Sequence, residues 1–201
     1  QFIQADAASR RGLIQALGIM SEDAVGSHVK EVYAHFGLAH YLAQVLEHGI
    51  VNTFVYLELV PSKLKSTEVK TSAEWTANFD EFMDRKFEAT LGKLIRGLRE
   101  HAVVTKELEN TLSAALVKRN WLAHGYFRDR ASAFLTTEGR NAMILELQES
   151  QKLFENADQM LESATKPTRL KYGFTDERIA AAVAEYLDEH KSEFRHAPDD
   201  A

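Results

Sequence analysis

A long amphipathic pattern in the first third of the chain constrains the fold more than any other feature. From about 29 to 60, apolar residues recur at steps of three and four, which is the repeat of one face of an α-helix. Gly49 is expected to bend or break this helix and Pro61 to end it. The first turns carry Val32, Phe36, Ala39, Leu42, Ala43 and Leu46. An apolar face of this length must be covered by other elements, so we expect further helices around it.

Capping residues and breakers divide the middle of the chain. Residues 61–78 are polar and lack periodicity, which predicts a connector. Asn78 is expected to cap a helix that reaches about His101, because an acidic residue follows it by three positions. Thr105 is expected to cap the next helix, and Gly125 to end it.

The last third of the chain predicts two more helices. Thr136 or Thr137 is expected to open a long one that reaches about Ser163, and Pro167 to close that region. A final helix is predicted from Thr175, because acidic residues fill its first turn. No alternating pattern typical of β-strands competes with these helices. The expected fold class is therefore all-α, an antiparallel helical bundle of four main helices with extra terminal helices.

Length and composition bound the organisation of the chain. For 201 residues we expect an N-terminal arm or short helix over 1–25, a helical bundle over 26–165, and a C-terminal helix and tail over 166–201. The sequence has no cysteine, which excludes disulfides, thiolate nucleophiles and cysteine zinc sites and fits a cytoplasmic protein. The longest apolar stretch, 50–60, is too short and polar to cross a bilayer, so no membrane partner is expected.

The segment 119–126 concentrates groups suited to chemistry on a phosphodiester. It reads Arg-Asn-Trp-Leu-Ala-His-Gly-Tyr. An imidazole can accept a proton near neutral pH, and a guanidinium can hold a phosphate. The same Arg-to-His spacing occurs at Arg96 and His101, but there a glycine follows the arginine and no tyrosine follows the histidine by two positions. The second pair therefore shares the spacing but not the rest of the pattern.

Helical geometry predicts how the side chains of this segment group. Asn120 and His124 are separated by four residues, so the amide is expected to hydrogen-bond the imidazole and fix its tautomer. Arg119 and His124 point about 140° apart on an ideal helix. They are therefore expected to converge only when a second subunit contributes its copy across a two-fold axis.

The pattern Arg119-Asn120-xxx-His124-x-Tyr126 resembles the Arg-x4-His-x-Tyr motif of the HEPN superfamily, in particular the HepT-like toxins. The resemblance implies a helical bundle that acts as a homodimeric, metal-independent endoribonuclease in toxin–antitoxin or antiviral defence. It implies that His124 is the general base and Arg119 stabilises the phosphorane, while Asn120 orients the histidine or the phosphate. Cleavage would leave a 2′,3′-cyclic phosphate, with no metal and no cofactor.

The resemblance also implies partners besides the RNA substrate. In HepT-like systems the tyrosine equivalent to Tyr126 accepts AMP from a nucleotidyltransferase antitoxin, so an antitoxin or a larger defence complex is a candidate partner. Core packing is the alternative interpretation of this tyrosine.

Charged residues near the motif predict an RNA-binding strip. The whole chain has a net charge of −6, which disfavours a nucleic-acid binder that uses its entire surface. Between residues 118 and 140, however, five cations face only two carboxylates. The candidate RNA contacts are Lys118, Arg128 and Arg130, with Arg140 at the end of the strip. A solvated surface is the alternative interpretation of this strip.

Two residues of the first helix, Glu47 and Asn52, are candidates for a supporting role beside the site. Histidines on that helix lack a metal-ligand spacing, so no metal site is expected. The alternative for Arg119 and His124 is a packed arginine stem and a histidine that caps the helix end. Two alternative functions stay open: a non-catalytic HEPN-like module that binds nucleotide, RNA or a partner protein, and a helical interaction module in a larger assembly.

Overall fold

A computed structural model describes residues 22–65 and 71–191, and within these ranges every regular element is helical, which confirms the all-α prediction. The arm predicted over 1–25 lies almost wholly outside them. A π-helical segment, Val55–Leu59, joins the first two helices. The helices are α1 (Glu22–Phe54), α2 (Val60–Lys65), α3 (Ser72–Phe87), α4 (Leu91–Leu98), α5 (Lys106–His124), α6 (Tyr126–Asp129), α7 (Ala131–Phe134), α8 (Thr137–Lys171) and α9 (Asp176–Glu189).

The first helix does not break at Gly49 and the helical run does not end at Pro61, so both predicted interruptions were wrong. Gly49 lies within unbroken α1. A Cβ there would lie 2.8 Å from Oδ1 of Asp158, so the glycine makes room for a neighbouring side chain. The π segment widens the backbone just before Pro61, with the Val60 N–H bonded to the Val55 carbonyl. The proline ring is then accommodated in the first turn of α2, where a missing N–H costs little.

The described parts of the predicted connector, 61–65 and 71–78, are helical except at Thr71, and residues 66–70 lie outside the described ranges. α3 begins after Thr71, whose side chain and that of Glu74 form a reciprocal capping box. Asn78, the predicted cap, lies inside α3 and accepts a hydrogen bond from Lys63 at 3.0 Å. The helix predicted to reach residue 101 is interrupted, because Thr90 caps the new helix α4.

Four other boundaries agree with the sequence. Thr105, Thr136 and Thr175 each accept a hydrogen bond from the backbone N–H three residues on, as predicted for N-caps. Gly125 follows the last residue of α5, also as predicted. The capping rules therefore located the start of each long C-terminal helix.

Pro167 does not close the long helix α8, which continues to Lys171. The proline removes one backbone hydrogen bond, to the carbonyl of the exposed Ser163, and water can satisfy that group. Beyond the proline, Arg169 is buried and binds Glu162 at 2.8 Å, which secures the last turns. The predicted domain boundary at 165 therefore falls inside a helix, as does the one at 25.

The helices α1 and α8 form the largest interface and run parallel. His28 contacts Arg140, and farther along both helices His35 contacts Gln151. Sequence numbers therefore rise together along the pair. The predicted bundle would make the first and last long helices antiparallel; the break at Thr90 inserts one more chain reversal and makes them parallel.

The core lies between α1, α8, α4 and α5. No helix in the described ranges is both long and apolar enough to span a membrane. The fully buried large side chains are Phe54, Phe154, Tyr126, Leu46, Ile50, Leu91, Leu98, Leu108, Leu112, Met143, Leu147 and Leu161.

Candidate functional site

The predicted motif occupies the last turns of α5, which packs antiparallel to α1. Phe36 of α1 packs on Tyr126 with ring centroids 5.7 Å apart, whereas Glu47, farther along α1, meets the earlier residue Arg119. Arg119 lies seven residues after Leu112 and four after Ala115, both buried. It therefore shares the stripe of α5 that faces the core.

Arg119 forms an ion pair with Glu47 across the groove between α1 and α5. Its Nη2 lies 3.3 Å from Oε2 of Glu47, and the side chains are 29% and 20% exposed. The other terminal nitrogen donates to Oδ1 of Asn120 at 3.1 Å. Glu47, a candidate for a supporting role beside the site, thus contacts Arg119. The guanidinium is thus held at the rim of the core with one edge accessible.

His124 is exposed at the last residue of α5. Its imidazole contacts no hydrogen-bond or ion-pair partner among the residues that the structure describes. Asn120 does not orient it, since the amide oxygen accepts from Arg119 instead; that prediction was wrong. Within one chain Arg119 faces the α1 groove while His124 faces solvent, as the 140° separation predicted.

Tyr126 belongs to the core. It is 1% exposed, and its hydroxyl donates to the Met143 carbonyl at 3.2 Å. Burial, and to a lesser extent the charge of Glu146, raises the pKa of the phenol well above its usual range. In this conformation a modifying enzyme cannot reach the hydroxyl, so the packing interpretation accounts for this residue.

The predicted RNA strip is mostly neutralised. Arg130 binds both oxygens of Glu146, at 2.8 and 2.7 Å. Arg128 remains 78% exposed, and its Nε lies 3.1 Å from Asp129. Arg140 is buried, 4% exposed, and cannot contact RNA. The charge count between 118 and 140 included Asp129 but not Glu146, which lies on α8.

Trp121 contacts three charged residues of this region. Its indole N–H donates to Asp129 at 2.9 Å, and that hydrogen bond is the largest cause of the lowered pKa of the Asp129 carboxyl. The ammonium of Lys118 lies 4.7 Å from the ring centroid and the guanidinium of Arg130 lies 5.1 Å away. Two of the predicted RNA contacts are therefore stacked on an indole.

Asn52 does not join the motif. It lines a cavity of about 440 Å³ between α1, the end of α8 and the start of α9, together with Tyr56, Arg169 and Asp176. It is five residues from Glu47 on α1 and so points to a different side of the helix. The predicted supporting role for Asn52 was wrong.

One polar residue near the groove escaped the prediction. His40 lies seven residues before Glu47 on the same stripe of α1, and its Nδ1 is buried with no hydrogen-bond partner. A histidine within an apolar helical stripe was the available signal. No group of three or more histidine or acidic residues in the described ranges could hold a metal ion.

No family model matches this chain, and neither a curated protein nor a solved structure matches it at a significant level.

Proposed function

We propose that this protein is a metal-independent endoribonuclease of HEPN type. The observation that carries the proposal is that one helix presents both an exposed His124 imidazole, without a hydrogen-bond partner among the described residues, and an Arg119 guanidinium held at the mouth of a groove. The HEPN motif thus has its base exposed to a substrate and its cation anchored by Glu47. A cytoplasmic role in toxin–antitoxin or antiviral defence, with an antitoxin partner, follows from the same resemblance.

The chemistry needs only these side chains and the RNA. Neutral His124 removes the proton from a ribose 2′-hydroxyl, and the resulting alkoxide attacks the adjacent phosphorus. The bond from phosphorus to the 5′-oxygen breaks, and that oxygen leaves with a proton from water. The products are a 2′,3′-cyclic phosphate and a 5′-hydroxyl. Arg119 stabilises the negative charge that develops on the phosphorane oxygens.

Glu47 sets the resting state of Arg119 in this proposal. An incoming phosphate competes with the carboxylate for the guanidinium, which has five N–H donors and can serve two partners. Because the pair is only partly exposed, the guanidinium keeps a fixed orientation until a phosphate binds.

The proposal includes a homodimer. A cation that faces the α1 groove and a base that faces solvent do not meet on one α5 helix, so the second subunit supplies the missing half.

Purified protein incubated with RNA in EDTA tests the proposal. We expect cleavage by the native chain, and a loss of about a hundredfold or more in Arg119→Ala and in His124→Ala. The matched control is Arg96→Ala, an exposed arginine with the same spacing to a histidine, and it should keep full activity. Cleavage that persists in His124→Ala would refute the proposal.

A second candidate is a helical interaction module without catalysis. It is favoured by the neutralised cation strip and by α9, in which every residue is exposed although one face is apolar. The exposed apolar residues of that face are Ile179, Val183, Tyr186 and Leu187. A native chain that neither cleaves nor binds RNA at micromolar concentration would support this candidate.

A further inference from the structure

The exposed side of α1 lacks charged residues over about four turns. From 32 to 46 the sequence contains no Asp, Glu, Lys or Arg, although the chain average of 27% would place about four there. Burial does not explain the gap, because one side of the helix is open to solvent over the same stretch. Depletion of charge with enrichment of tyrosine is typical of the core of a protein–protein interface.

The exposed positions on this side have the spacing of a coiled-coil seam. They alternate steps of four and three residues, so they form one strip along the helix. Tyr33 and Leu38 flank the strip and are 52% and 45% exposed. The strip, called the α1 seam below, consists of Lys30, Ala34, Gly37, Tyr41, Gln44 and His48, all of them exposed.

We propose that the α1 seam packs against the α1 seam of a second copy of this chain, with the two helices antiparallel and crossing at Gly37. The inference rests on the homodimer of the proposed function and names its surface. A Cβ added at Gly37 would meet no atom within 4 Å, so the crossing point is unobstructed and has no side chain to hold the helices apart.

The seam is self-complementary in this arrangement. A two-fold axis at Gly37 places Tyr33 opposite the partner's Tyr41, and the reverse, which gives two aromatic pairs. Lys30 then lies opposite the partner's Gln44, so no like charges meet. Because both faces lack carboxylates and cations near the crossing, two identical surfaces associate without the repulsion that charged faces would suffer.

The crossing point of the α1 seam lies at the same height along α1 as the end of α5. Phe36, the neighbour of Gly37, contacts Tyr126 and Phe127, the residues that follow α5, with ring centroids 5.7 and 4.8 Å apart. The end of α5 therefore lies at the level of the crossing. Two copies related by this axis therefore carry their α5 ends at the same level along the paired helices rather than at opposite ends of the dimer.

The other exposed apolar face, on α9, does not suit a second copy. Residues 176–189 contain five carboxylates and one arginine, a net charge of −4. Pairing this helix with itself would bring two such charges together. The charge distribution therefore selects α1 over α9 for self-association.

Cysteine cross-linking tests the arrangement cleanly, because the native chain has no cysteine. We expect Gly37→Cys to form a disulfide-linked dimer of twice 22.7 kDa under mild oxidation. The matched control is Gln44→Cys, whose two copies would lie about 21 Å apart along the antiparallel helices, beyond disulfide reach. Equal cross-linking of both variants, or none at Gly37→Cys, would overturn the proposal.

Sedimentation analysis of the protein without any introduced cysteine completes the test. We expect a dimer that Tyr41→Glu weakens at least about tenfold, while Val117→Glu, an exposed residue on α5, leaves it intact. A native monomer, or a dimer lost only in Val117→Glu, would overturn the α1 seam. RNA cleavage by the same samples is scored separately, so an inactive dimer through α1 would refute the proposed function alone.

Discussion

Arg119 and Glu47 bind each other across the groove between α1 and α5, with 3.3 Å between Nη2 and Oε2. The two residues are 72 positions apart in the sequence, and both side chains are only partly exposed. A charge pair at such positions has no advantage over packed hydrocarbon for stability alone. In the proposed function, this pair holds the Arg119 cation in place for a phosphate.

Removing either partner of this pair should destabilise the fold. Glu47→Gln and Arg119→Gln should each lower the free energy of unfolding by about 1–3 kcal/mol, because the remaining group loses its partner in a partly buried groove. A double-mutant cycle by urea unfolding should give a coupling of about 1 kcal/mol. The control pair is the more exposed Lys106 and Glu109, for which we expect less than about 0.5 kcal/mol. Equal coupling energies for the two pairs would contradict the stronger interaction expected of Arg119 and Glu47.

Ionisation of Tyr126 should lower the free energy of unfolding at alkaline pH. Its pKa is raised by burial in the folded state, whereas an unfolded tyrosine ionises near about pH 10. The stabilisation is therefore complete below about pH 10 and is lost as the pH rises further. Tyr126→Phe should lose about 1 kcal/mol at neutral pH with the Met143 hydrogen bond, and should flatten this alkaline decline. Urea midpoints from pH 8 to 11, with the exposed Tyr41→Phe as control, measure the effect.

Asp158 should destabilise the protein at neutral pH. Burial, and then the nearby charge of Glu162, raises the pKa of its carboxyl. The protonated form is thus favoured by folding, and that contribution is lost as the pH rises above the unfolded value of about 4. Asp158→Asn should raise the urea midpoint at pH 7, with no gain below about pH 4.

Asp176 serves as a control for Asp158, because the pKa of its carboxyl is lowered in the folded protein rather than raised. Hydrogen bonds from Arg169 and then Lys166 lower the pKa of the Asp176 carboxyl. Its contribution is present above the unfolded pKa and is lost as the pH falls, so Asp176→Asn should lower the midpoint at pH 7. Shifts of the same sign in both variants would contradict the assignments.

Gly139 should be the least replaceable glycine of the described chain. A Cβ there would lie 2.1 Å from the Ala133 carbonyl oxygen, so the backbone of α7 would have to move. We expect Gly139→Ala to cost about 1–3 kcal/mol. Gly26→Ala, a helical position with open space, should instead gain up to about 1 kcal/mol. Thermal unfolding of both variants distinguishes steric conflict from helix propensity.

Local rules predicted the helices better than their arrangement. Thr105, Thr136 and Thr175 were recognisable as caps because a cap depends on a few neighbouring residues. The helix ends predicted at Pro61 and Pro167 were wrong. The effect of Pro61 depends on the π-helical segment before it, and the effect of Pro167 depends on tertiary contacts of the residues after it. Their surroundings are set by the fold rather than by adjacent sequence.

The site was predictable only in part for the same reason. The motif singled out Arg119 and His124, and Glu47 was a candidate for a supporting role, but its pairing with Arg119 was visible only in the structure. The partners of Arg130 and Tyr126, however, come from α8, and no spacing in the sequence relates these helices. A cation counted in the sequence is available to RNA only when the fold leaves it unpaired.

The 3′ end of the RNA product tests the central claim most directly, since His124 is proposed to act on a 2′-hydroxyl. In EDTA, the native protein should leave a 2′,3′-cyclic phosphate and should not cut the same strand with 2′-deoxy nucleotides. The end group is read by mass spectrometry of the products. A 3′-hydroxyl end, cleavage of the deoxy strand, or intact RNA at micromolar protein would contradict the account.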